Sequence, residues 1–404
     1  MPTFRLPLLL MLALLVASAA APAAAQPSLN TWESRFYEIH TNLPREEVIE
    51  YARHMDLVYA EFERRFAHLR DRRRVDQPLY LLATQQDYMH LLGSVGIDGT
   101  GSGGMFFIRG TTGGLATFVD RPDRAQALAT LRHEAFHQFA HNFLGPNLPT
   151  SINEGLAQYF ENIVIVNGTM RTGMADRRRI AQVKQMLEEG RAMPLDQLLN
   201  ITGEQWGATL RSDPRAASDL YAQSWSLVYF LAQADRRYQA AFNDYLAELS
   251  RGLHSRQAME RAFGVEDFAA AQPAWVRFVS ELEPDPVTTA QGHLEFLGEG
   301  LLTLMQRDGE APDTFDGLRD TLRSRGFTTV SRSHALEFRH SAEDERMFQY
   351  ERAPETWVDF EMHEPAEEGQ PPRLAAPHAR WRPVLVWDED SEGNLVYDVV
   401  YHGR

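Results

Sequence analysis

Near Asp123 the period of the apolar residues changes, and this change constrains the fold more than any other feature of the 404-residue chain. Upstream, short apolar or alternating runs bounded by Gly and Pro predict strands at Ser34 to His40, Leu79 to Ala83, Met105 to Ile108 and Leu115 to Val119. Two helices interrupt them. One covers Arg45 to Leu69, with Val48, Tyr51, Met55, Val58, Tyr59, Phe62 and Phe66 at helical spacing, and a shorter one covers Gln85 to Leu92. Downstream, from a cap at Asp123, the helical period persists to about residue 281, broken by loops at 145–149, at 167–173 and at Asp213-Pro214. A small N-terminal sheet followed by a helical subdomain is an α+β arrangement. Glu283-Pro284-Asp285-Pro286 then reads as a linker, placed over 283–292, which separates residues 26–282 from a small C-terminal α+β domain over 293–404. Helices are expected there near Leu294 to Met305 and Phe315 to Ser324. Strands follow at Trp357 to Met362, Val384 to Trp387 and Leu395 to Tyr401, the last two as a hairpin.

Composition removes several function classes. Forty Lys and Arg against 56 Asp and Glu leave a net charge of −16, so a field that gathers phosphate backbones is absent and no nucleic-acid partner is expected. The chain has no cysteine, which excludes a thiol nucleophile, a thiolate-ligated metal and disulfides, and Lys184 is the only lysine. Residues 1–25 have the pattern of a secretory signal: Arg5, the apolar run Leu6 to Val16, then Ala23-Ala24-Ala25 before Gln26. The expected location is therefore secreted or periplasmic, by bacterial export, with no stable membrane insertion after cleavage.

The longest helical pattern contains His133-Glu134-Ala135-Phe136-His137, an HExxH motif. At about 100° per residue from Leu131, the two histidines fall near 200° and 240° and Glu134 near 300°, on the flank away from Leu128, Ala135 and Phe139. Two imidazoles one turn apart can chelate a single Zn²⁺, and the neighbouring carboxylate can serve as general base. Two histidines do not close a catalytic site, so a third ligand is required. Ala140 and Phe143 occupy the positions where a metzincin would have Gly and His.

Further on, Asn153-Glu154-Gly155-x-Ala157-x-Tyr159-x-Glu161 opens a second helix. This segment resembles the glutamate-ligand helix of gluzincins, the thermolysin and aminopeptidase N clan, and most of all a group of uncharacterised secreted bacterial proteins with a peptidase-like domain. The resemblance implies a zincin-like fold for residues 26–282 and a zinc metallopeptidase activity with one Zn²⁺ per chain. By position it makes Glu154 the third ligand beside His133 and His137, with Glu134 catalytic. Sixteen residues separate His137 from Glu154, where the clan families have eighteen or more. Glu161 remains the alternative ligand, or the partner of a ligand histidine's other nitrogen. Ser151-x-x-Glu154 also reads as a capping box, which would turn the carboxylate back to the Ser151 amide. Tyr221 lies where the aminopeptidases have their oxyanion-stabilising tyrosine, although helical spacing with Trp225 and Tyr229 is also a core pattern.

An extended peptide or protein substrate would pair with an edge strand, either Met105 to Ile108 or Leu115 to Val119. The aminopeptidase Gly-x-Met-Glu-Asn segment has no counterpart, since Gly113-Gly114-Leu115-Ala116-Thr117 has no acid, and this favours an endopeptidase. Two other readings stay open: an inactive or metal-free binding protein on a peptidase-like fold, and a zinc hydrolase of a non-protein amide. Gly99 to Gly104 matches GxGxxG without the following helix that phosphate binding needs, and reads as a mobile loop over the cleft. Asn167-Gly168-Thr169 matches a glycosylation acceptor, and His141 reads as solvent-exposed or as a partner of a ligand.

Overall fold

A computed structural model of the chain describes residues 28–69, 77–109, 112–120, 124–333, 336–390 and 393–403. The signal pattern at 1–25 and the cap at Asp123 lie outside the described residues.

The N-terminal part forms an α+β layer. Strands β1 (Asn30–Glu33) and β2 (Glu38–Thr41) make a hairpin, followed by helix α1 (Arg45–Arg65), β3 (Pro78–Leu82), α2 (Gln85–Ser94), β4 (Gly104–Arg109) and β5 (Thr112–Phe118). Their order in the sheet is β1-β2-β3-β5-β4. The strand expected over Ser34 to His40 is therefore a hairpin, because Ser34 Oγ donates to Asp56 at 2.8 Å and accepts from the Tyr37 amide at 3.0 Å, which turns the chain. Strand β5 lies inside the sheet between β3 and β4, so Leu115 to Val119 offers no free edge, whereas β4 is an edge strand. The Gly99 to Gly104 run is anchored: Ser102 Oγ lies 2.7 Å from both the Tyr88 hydroxyl and the Gly99 carbonyl. Helix α1 has Glu46 and Glu47 in its first turn and Arg64 and Arg65 in its last, which suits the helix dipole, and it buries Val48, Tyr51, Met55, Val58 and Phe62.

The helical part begins with α3 (Arg124–Phe143) and α4 (Thr150–Glu161), followed by a short hairpin of β6 (Val164–Val166) and β7 (Thr169–Arg171). The hairpin occupies the loop expected over 167–173. Asn167 and Gly168 take positive φ of 51° and 70°, the backbone of a two-residue hairpin turn. Helices α5 (Arg177–Glu188), α6 (Leu195–Asn200), α7 (Gly203–Ser212) and α8 (Pro214–Gln233) follow, then α9 (Arg236–Ser250), α10 (Ser255–Phe263) and α11 (Val265–Glu281). Asp213 starts α8 by accepting the Arg215 and Ala216 amides, with Pro214 in the first position.

Helix α12 (Pro286–Asp308) replaces most of the linker expected at 283–292. Asp285 caps it and Pro286 opens it, so a segment that reads as a breaker is a helix start. The C-terminal part continues with α13 (Phe315–Ser324), β8 (Thr328–Ser333), β9 (Leu336–Ser341), β10 (Gln349–Ala353), β11 (Thr356–Asp359), β12 (Glu361–His363) and β13 (Arg373–Ala375). The β14 (Pro383–Glu389) and β15 (Leu395–Tyr401) hairpin ends it. One buried cluster is built from residues between Tyr37 and Val279 and a second from residues between Ala290 and Val399. A single sheet, β12-β13-β14-β15-β6-β7, nevertheless joins the two parts, through a parallel contact of Tyr401 with Val166. Among the described residues no helix is long and apolar enough to cross a membrane.

Candidate metal centre

Helices α3 and α4 pack against each other, and α4 packs closely on α8. Gly155 permits the second contact: a Cβ there would strike the Ser224 carbonyl and come within 2.7 Å of Val228 Cγ2. With α4 so placed, Glu154 in its second turn faces the histidines of α3. The capping box is not formed. Pro149 is the N-cap, no side chain caps the helix, and Ser151 Oγ is buried without a hydrogen-bond partner.

Three ligand-type atoms converge. The Nε2 atoms of His133 and His137 are 3.1 Å apart, and Glu154 Oε2 lies 3.4 Å and 3.6 Å from them. Four-coordinate zinc with bonds of 2.0–2.2 Å has ligand–ligand edges of about 3.3 Å, and this triangle matches that size. His133, His137 and Glu154 thus form a group able to hold one metal ion, and the donor set, two imidazoles and a carboxylate, leaves a fourth position open. Glu154 Oε2 and His137 Nδ1 are buried with no hydrogen-bond partner, and for the carboxylate oxygen a cation would answer that deficit. Burial disfavours charge on both histidines, but the surrounding carboxylates prevail and hold both above their ordinary value. The same attraction outweighs burial at Glu154 and holds its carboxyl far below the usual range.

Glu161 does not reach the Nε2 side. It pairs through Oε1 with Nδ1 of His133 and through Oε2 with Arg179 Nη2, so it meets His133 on the side away from the Nε2 cluster. Glu134 sits one residue beyond His133, and its Oε2 accepts the Phe106 amide of edge strand β4 at 2.7 Å. Gly104 lets that strand approach: a Cβ there would lie 2.6 Å from Thr130 Cγ2 and 3.2 Å from Glu134 Cγ. Tyr221, on α8, packs edge-to-face on Trp206 at 5.2 Å, and its carbonyl accepts Gln158 Nε2 at 2.9 Å. Burial, with the charge of Glu154 next, raises its phenol well above the usual value, so the hydroxyl keeps its proton. His141 is exposed at the rim with its ring 5.4 Å from that of Phe106, and a cavity of about 320 Å³ opens there beside His137 and Glu154.

Sequence reasoning did not anticipate Arg132, Arg179, Gly104 or the Phe106 amide. Arg179 lies 18 positions after Glu161, beyond a hairpin, and no local period connects them. A family model described as "Protein of unknown function (DUF1570)" matches residues 127–253, a segment that contains His133, Glu134, His137, Glu154, Glu161, Arg179 and Tyr221. No curated protein matches the chain.

Proposed function

We propose that this chain is an exported zinc-dependent metallopeptidase that acts as an endopeptidase. The observation that carries the reading is the convergence of His133, His137 and Glu154 on one point, with Glu134 on the same helix as the two histidines. Zinc held by that triad would supply Lewis acidity to a scissile carbonyl and acidify a water at neutral pH. Glu134 takes the proton from the attacking water and returns it to the leaving amine. The half-buried, protonated Tyr221 hydroxyl donates to the oxygen on which negative charge develops. Strand β4, at the sheet edge, binds an extended peptide by main-chain pairing, which suits substrates varied in side chain. The signal-like pattern of residues 1–25 supports export.

The test starts with the zinc content of residues 26–404, by elemental mass spectrometry, beside His137→Ala. One zinc per chain that the variant loses is expected. Glu134→Gln should then keep its zinc while peptide hydrolysis falls by about 10²–10⁴-fold. A chain that takes up no zinc after loading overturns the reading, as does a Glu134→Gln variant with unchanged turnover.

A further inference from the structure

Glu161 is gripped at both of its oxygen-bearing ends. Its carboxylate pairs with Arg179 Nη2, and its main-chain carbonyl accepts from Arg132 Nε at 2.9 Å and Nη2 at 2.6 Å. Both arginines are buried, at 7% and 8% exposure, so neither is an interchangeable surface cation. Arg179 is itself fixed. Asp176 accepts its amide at 3.0 Å, its Nη1 donates to the Gln158 carbonyl at 2.9 Å, and its guanidinium lies 5.9 Å from the Trp225 ring. Arg132 immediately precedes the metal-site His133 in α3.

We propose that Arg179 and Arg132 are positioning residues of the metal centre, holding Glu161 so that it fixes the tautomer and ring plane of His133. The proposal rests on the metal-binding reading above. An ionised Glu161 can only accept a hydrogen bond, so the His133 proton sits on Nδ1 and the Nε2 lone pair is left for the metal. Arg179 pairs with that carboxylate inside the protein, and its planar fork reaches the Gln158 carbonyl and the Glu161 carboxylate together. Arg132 sets where the end of α4 stands against α3, since Glu161 is the last residue of α4. Helix α3 also packs on β15, and the charge of Arg132, which burial disfavours, is offset first by Glu161 and then by Asp398 of β15 and Glu295 of α12. The C-terminal part thereby bears on the metal centre.

The competing account is purely structural. Gln158 and Glu161 supply two of the last four carbonyls of α4, which have no partner within the helix, and arginines there also suit the dipole. On that account, replacing Arg179 lowers stability but leaves metal affinity alone.

The full mature chain, its Arg179→Met and Arg179→Lys variants and Glu161→Gln are compared for zinc affinity by chelator competition, with the thermal midpoint of the metal-free form as control. Arg179→Met should bind zinc about 10–100-fold more weakly, the range for losing the support of a ligand histidine. Lysine keeps the charge but cannot span both acceptors, so Arg179→Lys should show a smaller loss. In the Glu161→Gln background, Arg179→Met should cost less than about twofold more, because both act through one contact, whereas independent effects would multiply. If Arg179→Met fails to fold, Arg179→Lys decides. Variants with lower thermal midpoints but zinc affinity within about twofold of wild type would overturn the proposal while leaving the metal reading intact. A wild-type chain that binds no zinc would instead sink the metal reading and this proposal with it.

Discussion

At the residue scale, one carboxylate had two incompatible uses, and the structure selects between them. Glu154 could have bonded back to the Ser151 amide, but α4 begins at Thr150, which puts Ser151 inside the helix and frees Glu154 to face His133 and His137. Ser151→Ala separates the two uses. Loss of an N-cap serine costs about 1 kcal/mol, whereas removing a buried hydroxyl that bonds nothing should cost none and stabilise slightly. Urea denaturation of the variant should therefore give a midpoint equal to wild type or above it. Glu154→Gln should remove one of the three ligands and reduce zinc binding by more than Glu161→Gln does, measured by the same chelator competition.

At the scale of elements, the site depends on two close approaches that only glycine permits. Gly155 lets α4 settle on α8, which places Glu154 and Tyr221 on facing helices, and Gly104 lets β4 reach Glu134. The Ser224 carbonyl that a Gly155 Cβ would meet is backbone and cannot swing aside. Gly155→Ala should therefore destabilise by about 1–3 kcal/mol, the usual cost of overpacking, and should weaken zinc binding because α4 is pushed off α8. Calorimetry and zinc titration of this variant test both halves. The β6–β7 hairpin illustrates what local reading missed. Its Asn167-Gly168 turn has the required backbone, but strands of three residues carry too little alternation to be told from a loop.

At the scale of the whole molecule, the two buried clusters are joined by one sheet, so acid sensitivity in the C-terminal part is felt by the entire chain. His293 of α12 is buried, and its Nδ1 lies 2.7 Å from the Gln349 carbonyl, an acceptor that places the ring proton on Nδ1. Burial pushes its pKa down from 6.5 to about 4, against the hydrogen bond to Gln349. The unfolded chain binds this proton below 6.5 and the folded chain only below about 4. The stabilisation is therefore complete above pH 6.5 and is lost as the pH falls toward 4, about 3 kcal/mol in all. His293→Asn, which retains a donor near Nδ1, should flatten the decline of thermal midpoint between pH 7 and 4.5, and an unchanged slope would refute the assignment. Asp285-Pro286 looked like a break because proline ends helices, yet behind a capping aspartate it begins one.

The amino-acid sequence alone determined the α+β class, the helices that carry His133, Glu134, His137, Glu154 and Glu161, and a candidate group for holding a metal ion. These are legible because helical and strand periods, and the spacing of two histidines on one turn, are local properties of a few consecutive residues. Tertiary structure decided which glutamate faces Nε2 and which faces Nδ1, that β4 and not β5 is the edge, and that Arg132 and Arg179 grip Glu161. It also decided that β15 completes a sheet begun by β6. Each of these is a contact between residues from about 18 to more than 200 positions apart, set by how helices and strands pack rather than by any period along the chain.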